Sequence, residues 1–378
     1  MATPLNQSFI HHFADLPDPR TGRNCLHALS DLLFLVVCAT LAGADDAVAI
    51  ATFGRERLDW LRQHAPFDHG IPAHDTIDRV LRLLPPETFQ TCFGRWVRAL
   101  GLPVAECVVA LDGKVARRSA DAPTGQRALG LVTAWVSELR LVLGQAPIVE
   151  KSNEITAIPE LLRVLDVAGA VVTADALNCQ RAIADAIREA RADYVLAVKG
   201  NQDHLQDDVQ NCVAAALDRQ GRGEDAGLSW HAEEERAHGR HERRTYLVIR
   251  DPEGLRDRAA WRDLTAVCMV LSTRTVQGVT TETTRYYIGS RAGTAAEYAG
   301  WVRGHWGVEN GCHWVLDVAF AEDDSRTRRG YGQQNLGLAR RWALSLLRRD
   351  VTLKGGVANK RLQLAWNVNH LARVLKLC

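Results

Sequence analysis

Val108-Val109-Ala110-Leu111-Asp112 and Ala170-Val171-Val172-Thr173-Ala174-Asp175 are two short apolar runs that each end on a single aspartate. Runs of this length and composition read as strands buried on both faces. A carboxylate at the end of such a strand is costly unless a cation or a donor meets it. A third acid, Glu309, stands far downstream in His305-Trp306-Gly307-Val308-Glu309-Asn310-Gly311-Cys312-His313-Trp314, which reads as helix. Two strand-end aspartates and a glutamate on a packed helix suggest a site for divalent metal ions.

Around these runs the pattern has an order. The strand at 107–112 is followed by strands near 129–136 and 139–149, then a helix to about Leu165 with Pro159 suited to its first turn. The strand ending at Asp175, a helix from Gln180 to Arg191 and a strand from Tyr194 to Lys199 complete the segment. Three strands, helix, strand, helix, strand is the order of the ribonuclease-H-like α/β fold. Ligands of open α/β sheets sit near the carboxyl ends of the strands, where Asp112 and Asp175 fall.

Residues 1 to about 100 read as helical. The stripe Ile77, Val80, Leu81, Leu84 has helical spacing, with Asp75 as its expected N-cap and Pro85-Pro86 as its end. Two short helices about a tight break also suit a helix-turn-helix, though plain helical packing is the simpler reading. Beyond a polar helical stretch at Gln202 to Asp218, strands are expected at Arg243–Arg250, Thr265–Thr273 and Thr283–Ser290. These form a β-rich insertion at about 200–293. Thr294 and Glu297 then make a capping-box pattern. The expected division is a helical domain over 1–103, a catalytic domain over 104–350 and a basic helical tail over 351–378.

The chain of 378 residues, 47% hydrophobic and 24% charged, is ordinary for a soluble globular protein. Its longest mostly apolar run, Leu32 to Ala42, is too short to span a membrane. No secretory signal opens it, and nine scattered cysteines without a C-x-x-C pair suit a reducing cytoplasm. The net charge of +1 hides an asymmetry: residues 324–378 hold twelve Lys or Arg against two Asp. With Trp342 and Trp366 interleaved, this points to a polyanion, and Arg326, Arg328, Arg329, Arg340 and Arg341 are its candidate phosphate contacts.

Magnesium prefers hard oxygen ligands and binds through one or two protein carboxylates plus substrate phosphates. Two such ions can activate the attacking oxygen and stabilise the leaving one in phosphodiester displacement. Asp112 could bridge both, with Asp175 and Glu309 completing either side. On a continuous helix, Val302, His305, Trp306, Glu309, His313 and Leu316 share one face, which makes Trp306 a core residue or a base-stacking one and Trp314 a buried structural one. Gly304, Gly307 and Gly311 would allow close approach of another backbone or of DNA. Spacings for an H-E-x-x-H zinc helix, a G-x-S-x-G elbow or a P-loop are missing.

Several longer motifs resemble one family. Leu111-Asp112-Gly113-Lys114, Lys151-Ser152-Asn153-Glu154-Ile155-Thr156-Ala157-Ile158-Pro159-Glu160, Thr173-Ala174-Asp175-Ala176, Ala197-Val198-Lys199-Gly200-Asn201-Gln202, His238-Gly239-Arg240 and His305 through Val318 look like bacterial insertion-sequence DDE transposases. The nearest type is the ISAs-one family, which includes the H-repeat-associated proteins. The resemblance runs from about Phe13 to Leu375. It implies Asp112, Asp175 and Glu309 as catalytic and metal-binding residues, two Mg2+ ions (or Mn2+), and cytoplasmic action on double-stranded DNA as a homo-oligomer without a membrane. The DNA would be the terminal inverted repeats of an element and its target. Lys114, Lys199, Asn201, His238 and Arg240 would lie near it. Many such enzymes carry a tyrosine, an arginine and a lysine around the glutamate, where this chain has Val302, His305 and Leu316; Arg303, His313 and Lys199 are the candidates for that grip. The implied reaction is cleavage of element ends and strand transfer. A structure-specific nuclease of the same fold and a domesticated DNA-binding protein are the alternatives.

Overall fold

The apolar run near the N-terminus forms helix α1 (Leu29–Leu41), and residues 32–39 on all sides of it are buried. A helix that is apolar all round has to be a core element. The computed structural model describes residues 12, 16–20, 25–120, 125, 127–148, 154–237 and 239–375; Phe13, Lys151, Ser152, Asn153 and His238 lie outside them. After α1 come α2 (Ala47–Glu56), α3 (Leu58–Leu61), α4 (His74–Leu83) and α5 (Pro86–Ala99). The stripe Ile77, Val80, Leu81, Leu84 is buried as its spacing requires. The N-cap of α4 is Ala73, with Asp75 one residue inside the first turn, so its carboxylate favours the helix dipole rather than capping it. Pro86 opens α5 at a position where a missing N–H costs nothing.

Strands β1 (Val108–Val115), β2 (Gly130–Val136) and β3 (Leu141–Ile148) follow, with β2 and β3 paired antiparallel from Gly130↔Ile148 to Val136↔Leu141. Then come α6 (Glu154–Val164), β4 (Val171–Ala174), α7 (Arg181–Glu189), β5 (Asp193–Val198) and α8 (Asp203–Gly221). Pro159 is the sixth residue of α6, not part of its first turn; its ring leaves the Ile155 carbonyl without a helical donor. The long strands β6 (Leu228–Ala237), β7 (Arg240–Arg250), β8 (Ala266–Val276) and β9 (Val279–Gly289) precede α9 (Ala295–His305). The C-terminal helices are α10 (Trp314–Phe320), α11 (Gly332–Arg349), α12 (Val357–Trp366) and α13 (Val368–Leu375). Among the described residues no helix is long and apolar enough to cross a membrane.

These elements gather into two units, one comprising residues 1–102, 113–151 and 309–378, the other residues 103–112 and 152–308. In the first unit α11 is the central helix, touching α1, α4, α5 and β3. Its Trp342 meets Phe93 and Trp96 with ring centroids 5.3 and 5.1 Å apart. Trp342 is therefore core and unavailable to nucleic acid. Beside it Arg341 is fully buried against Glu322, with Nη1 donating to Oε1 at 2.6 Å and Nε to Thr133 Oγ1 at 3.1 Å. Lys360 donates to the Leu347 carbonyl, and Arg361 to the Thr40 carbonyl and Asp45 Oδ1. Much of the basic tail is thus turned inward, which corrects the expectation that Arg341 meets phosphate.

In the second unit the strands run β1-β4-β5-β9-β8-β7-β6. β1, β4 and β5 are parallel, and the remaining pairs are antiparallel. The expected insertion strands thus extend the sheet from β5 through β9. Strand β6 had no expectation, because Glu233-Glu234-Glu235-Arg236 lacks an apolar alternation; its pairing with β7 sets Glu233 opposite Arg244 and Glu235 opposite Glu242. Helix α9 carries the capping box of Thr294 and Glu297 and packs Ala295, Tyr298, Ala299 and Val302 into one core with Val108, Val171 and Val195. Gly304 permits this, since a Cβ there would come within 2.9 Å of Val108.

Glu322→Gln should cost the first unit about 3–5 kcal/mol, because it strands a buried guanidinium. Burial alone would raise the Glu322 carboxyl, but Arg341 and Arg340 hold it below the usual glutamate range. Its stabilisation is therefore present above the unfolded-state pKa and lost as pH falls through the lower folded one. Urea midpoints at neutral pH measure the cost, and an unchanged midpoint refutes it.

Candidate active site

Parallel pairing of β1 with β4 sets Leu111 opposite Ala174, so Asp112 and Asp175 stand side by side one residue further on. Neighbouring strands are about 4.8 Å apart, which forces two carboxylates to share one small volume. Both side chains are half-buried. β1 does not stop at Asp112, as the sequence suggested, but runs on to Val115.

The loop after β4 braces this pair. Asn178 is buried, its N–H and Nδ2 both donate to Asp175 Oδ1, and Nδ2 also reaches Glu154 Oε2 at 2.8 Å. Burial, with the charges of Asp175 and Asp112, pushes the Glu154 carboxyl above the usual range despite the Asn178 hydrogen bond. Asp175 and Glu154 meet through the Asn178 amide, and the buried Asn178 Oδ1 accepts nothing. Carboxylate and amide oxygens are the ligands a hard cation prefers, and here the Asn178 amide turns its Nδ2 toward both acids. Among the described residues no cluster of three or more His, Cys, Asp or Glu forms a preformed metal cage. Two carboxylates with substrate phosphates are nevertheless the usual magnesium set, so Asp112 and Asp175 fit such an ion.

A cavity of about 100 Å³ opens next to Asp175, lined by Lys199, Arg285, His305 and Trp306 among others. Thr173 Oγ1 and His305 Nδ1 share a hydrogen bond of 3.1 Å, and the Arg285 guanidinium lies 5.1 Å from the Trp306 ring centre. Trp306 is 43% exposed, which corrects its reading as a core residue. Helix α9 ends at His305, and residues 309–313 form a π-helical turn, so the face assumed for a continuous helix is out of phase. Trp314 is likewise 61% exposed, not buried.

Glu309 opens that π-turn in the first unit and is exposed, as is Asn310. His313 is buried, and Gly311 has the close approach expected of it, a Cβ there lying 3.0 Å from Trp135. Lys114 is held by Asp317 at 2.7 Å and Asp323 at 2.9 Å, which leaves its charge largely answered. Asn201 donates to the Ala176 carbonyl at 2.7 Å and so braces the Asp175 loop, leaving exposed Lys199 at the cavity mouth. Arg240 pairs with Glu242, and Arg303 with Glu233 and Glu235. Arg326 and Arg329 are exposed, while Arg328 donates to the Arg118 carbonyl. The sequence reading missed Glu154, Asn178 and Arg285 as site residues. Glu154 belongs to a motif already singled out, and Asn178 lies three residues after Asp175, the spacing at which a carboxylate accepts from a backbone N–H at a cap; Arg285 carried no signal.

Asn178→Ala should lower stability by about 1–3 kcal/mol, because two crowded carboxyls lose their donor. Millimolar Mg2+ should restore part of the loss. Denaturation with chelator and with magnesium checks both, and equal midpoints for the variant and the parent would refute the bracing role.

Residues 10–97 match the family model described as DDE_Tnp_1-associated, and residues 103–346 match the transposase DDE domain. "Putative transposase YncI" of Escherichia coli O157:H7 is 39% identical over 98% of this chain and 95% of its own. "H repeat-associated putative transposase YhhI" of Escherichia coli K12 is 37% identical over 98% of both. A solved piggyBac transposase synaptic complex with hairpin DNA aligns over 98% of this chain and 77% of its own at 9% identity and TM-score 0.42, too slight to bear on fold or chemistry. The family expected from the motifs is the one found: the chain belongs to the DDE transposases of the H-repeat-associated type.

Proposed function

We propose that the protein is a DNA transposase that cuts the ends of its element and joins the resulting 3′-hydroxyls to target DNA. The observation that carries this is the parallel register of Leu111 with Ala174, which puts Asp112 within β1 next to Asp175 just past the end of β4, within a match to the DDE domain. In this reading β1 to β5 with α6 and α7 form a ribonuclease-H-like core, and Asp112, Asp175 and Glu309 are the catalytic acids. Divalent ions, when bound, would activate the attacking oxygen and stabilise the leaving one. Asp112 and Asp175 hold positive charge at the strand ends, Asn178 fixes Asp175 in place, and Glu154 raises the negative potential around them. Lys199 and Arg285 are cations at the mouth of the adjoining cavity, placed to hold backbone phosphates. Trp306 offers an exposed ring for an unpaired base. Arg326, Arg328 and Arg329 meet the DNA backbone in the other unit.

Asp112→Asn, Asp175→Asn and Glu309→Gln keep shape but remove charge. Each should abolish magnesium-dependent cleavage of terminal-repeat DNA while leaving binding of those ends intact. A variant that cleaves at the parent rate removes that residue from the site. Strand-transfer products separate a transposase from a nuclease, and absence of cleavage by the parent protein would favour a DNA-binding role alone.

Trp306→Leu should melt at the parent temperature, because the ring is half exposed, yet bind terminal DNA more weakly by about 1–3 kcal/mol, the worth of one stacked base. Unchanged affinity would make the ring a bystander.

A further inference from the structure

Arg340 on α11 is fully buried, yet it lines a cleft of about 750 Å³ in the first unit. Its Nη2 donates to the Asp45 carbonyl at 3.0 Å, while Nε and Nη1 find no acceptor. Two unmet donors on a buried cation are expensive, and folded proteins seldom tolerate them without a ligand or water to accept. Burial also presses the Arg340 pKa down from its ordinary value. An oxyanion in the cleft would relieve both penalties.

The walls favour the same charge. Arg326, Arg328 and Arg329 line the cleft along with Arg82, whose charge Asp78 answers, and neither Arg326 nor Arg329 forms an ion pair among the described residues. Two ten-residue helices also begin there: Ala47 and Val48 open α2, and His74 and Asp75 open α4. N–H groups at these positions have no acceptor within their own helix, and the helix dipole adds positive potential. The five acids that also line the cleft each have a partner, for Asp75 and Asp78 within the cleft itself. Asp45 is bound by Arg361 and Asp46 by the Ala49 N–H, Asp75 meets His74, Asp78 pairs with Arg82, and Asp324 pairs with Arg118.

We propose that this cleft is a phosphate-binding site, with Arg340 at its floor and the starts of α2 and α4 in its wall. Its volume suits a nucleotide unit rather than a lone ion. The phosphate it takes is a backbone phosphate of DNA, an assignment that rests on the transposase reading.

The test uses the full chain and two surface variants that leave Arg340 in place. Arg326→Ala with Arg329→Ala removes two wall cations. Val48→Asp adds a carboxylate at the start of α2, which the helix dipole favours but which repels phosphate. Inorganic phosphate, at ionic strength matched with chloride, should raise the melting temperature of the parent and not of Val48→Asp, with a weaker response in the double variant. For duplex DNA the slope of log affinity against log salt should become shallower in the double variant by about 0.9 per lost contact. Equal phosphate responses in all three proteins would overturn the site. Loss of the response with an unchanged DNA slope would overturn DNA as the source and leave a site for free phosphate. Magnesium-dependent cleavage by the parent, measured at saturating DNA, tests the transposase reading separately, so cleavage without any phosphate response sinks this proposal alone.

Discussion

The register of β1 against β4 is the constraint on which the second unit depends. Four parallel pairs, ending at Leu111 and Ala174, leave Asp112 and Asp175 no choice but to face the same space. Two carboxylates so close repel each other, and nearby Glu154 makes the repulsion worse. The fold answers with one buried side chain, Asn178, which donates to Asp175 and to Glu154. The residual negative potential is what a cation would complete.

Around that register the other parts of the second unit serve to hold it still. Gly304 lets α9 approach Val108 closely, and the capping box fixes where α9 begins. Asn201 and Gln202 reach back to the Ala176 and Cys179 carbonyls and tie the loop that carries Asp175. Asn201 looked in the sequence like a candidate for touching DNA. Its hydrogen bond to the Ala176 carbonyl places it one step back, on the backbone next to Asp175.

In the first unit the governing fact is where the positive charge goes. The C-terminal segment is strongly basic as a sequence, yet Arg341, Lys360 and Arg361 spend their donors on Glu322, Asp45 and backbone carbonyls inside the fold. Only part of the charge faces outward, at Arg326, Arg329, Lys354 and Arg373 with the partly buried Arg328. Counting charges along the chain therefore overstated the polyanion surface. Arg340 is buried with two donors, Nε and Nη1, that find no acceptor.

The sequence by itself determined most of the elements and the order of those it marked. Apolar runs marked β1, β4 and β5, the stripe from Ile77 to Leu84 marked α4, and Thr294 with Glu297 marked the start of α9, because local hydrophobic period and capping chemistry act over a few residues. It also identified Asp112 and Asp175 as acids in costly positions. Tertiary structure alone decided what those signals met. Strand β6 took shape because β7 supplied partners for a charged run that carries no apolar alternation. The phase of Trp306 and Trp314 changed because the helix ended at His305 and a π-turn intervened, which no count at 3.6 residues per turn anticipates. Asn178 found Glu154, and Arg341 found Glu322, through pairings that strand register and helix packing create. Period and caps are local, whereas partnership between charges depends on which distant residues the fold brings within reach.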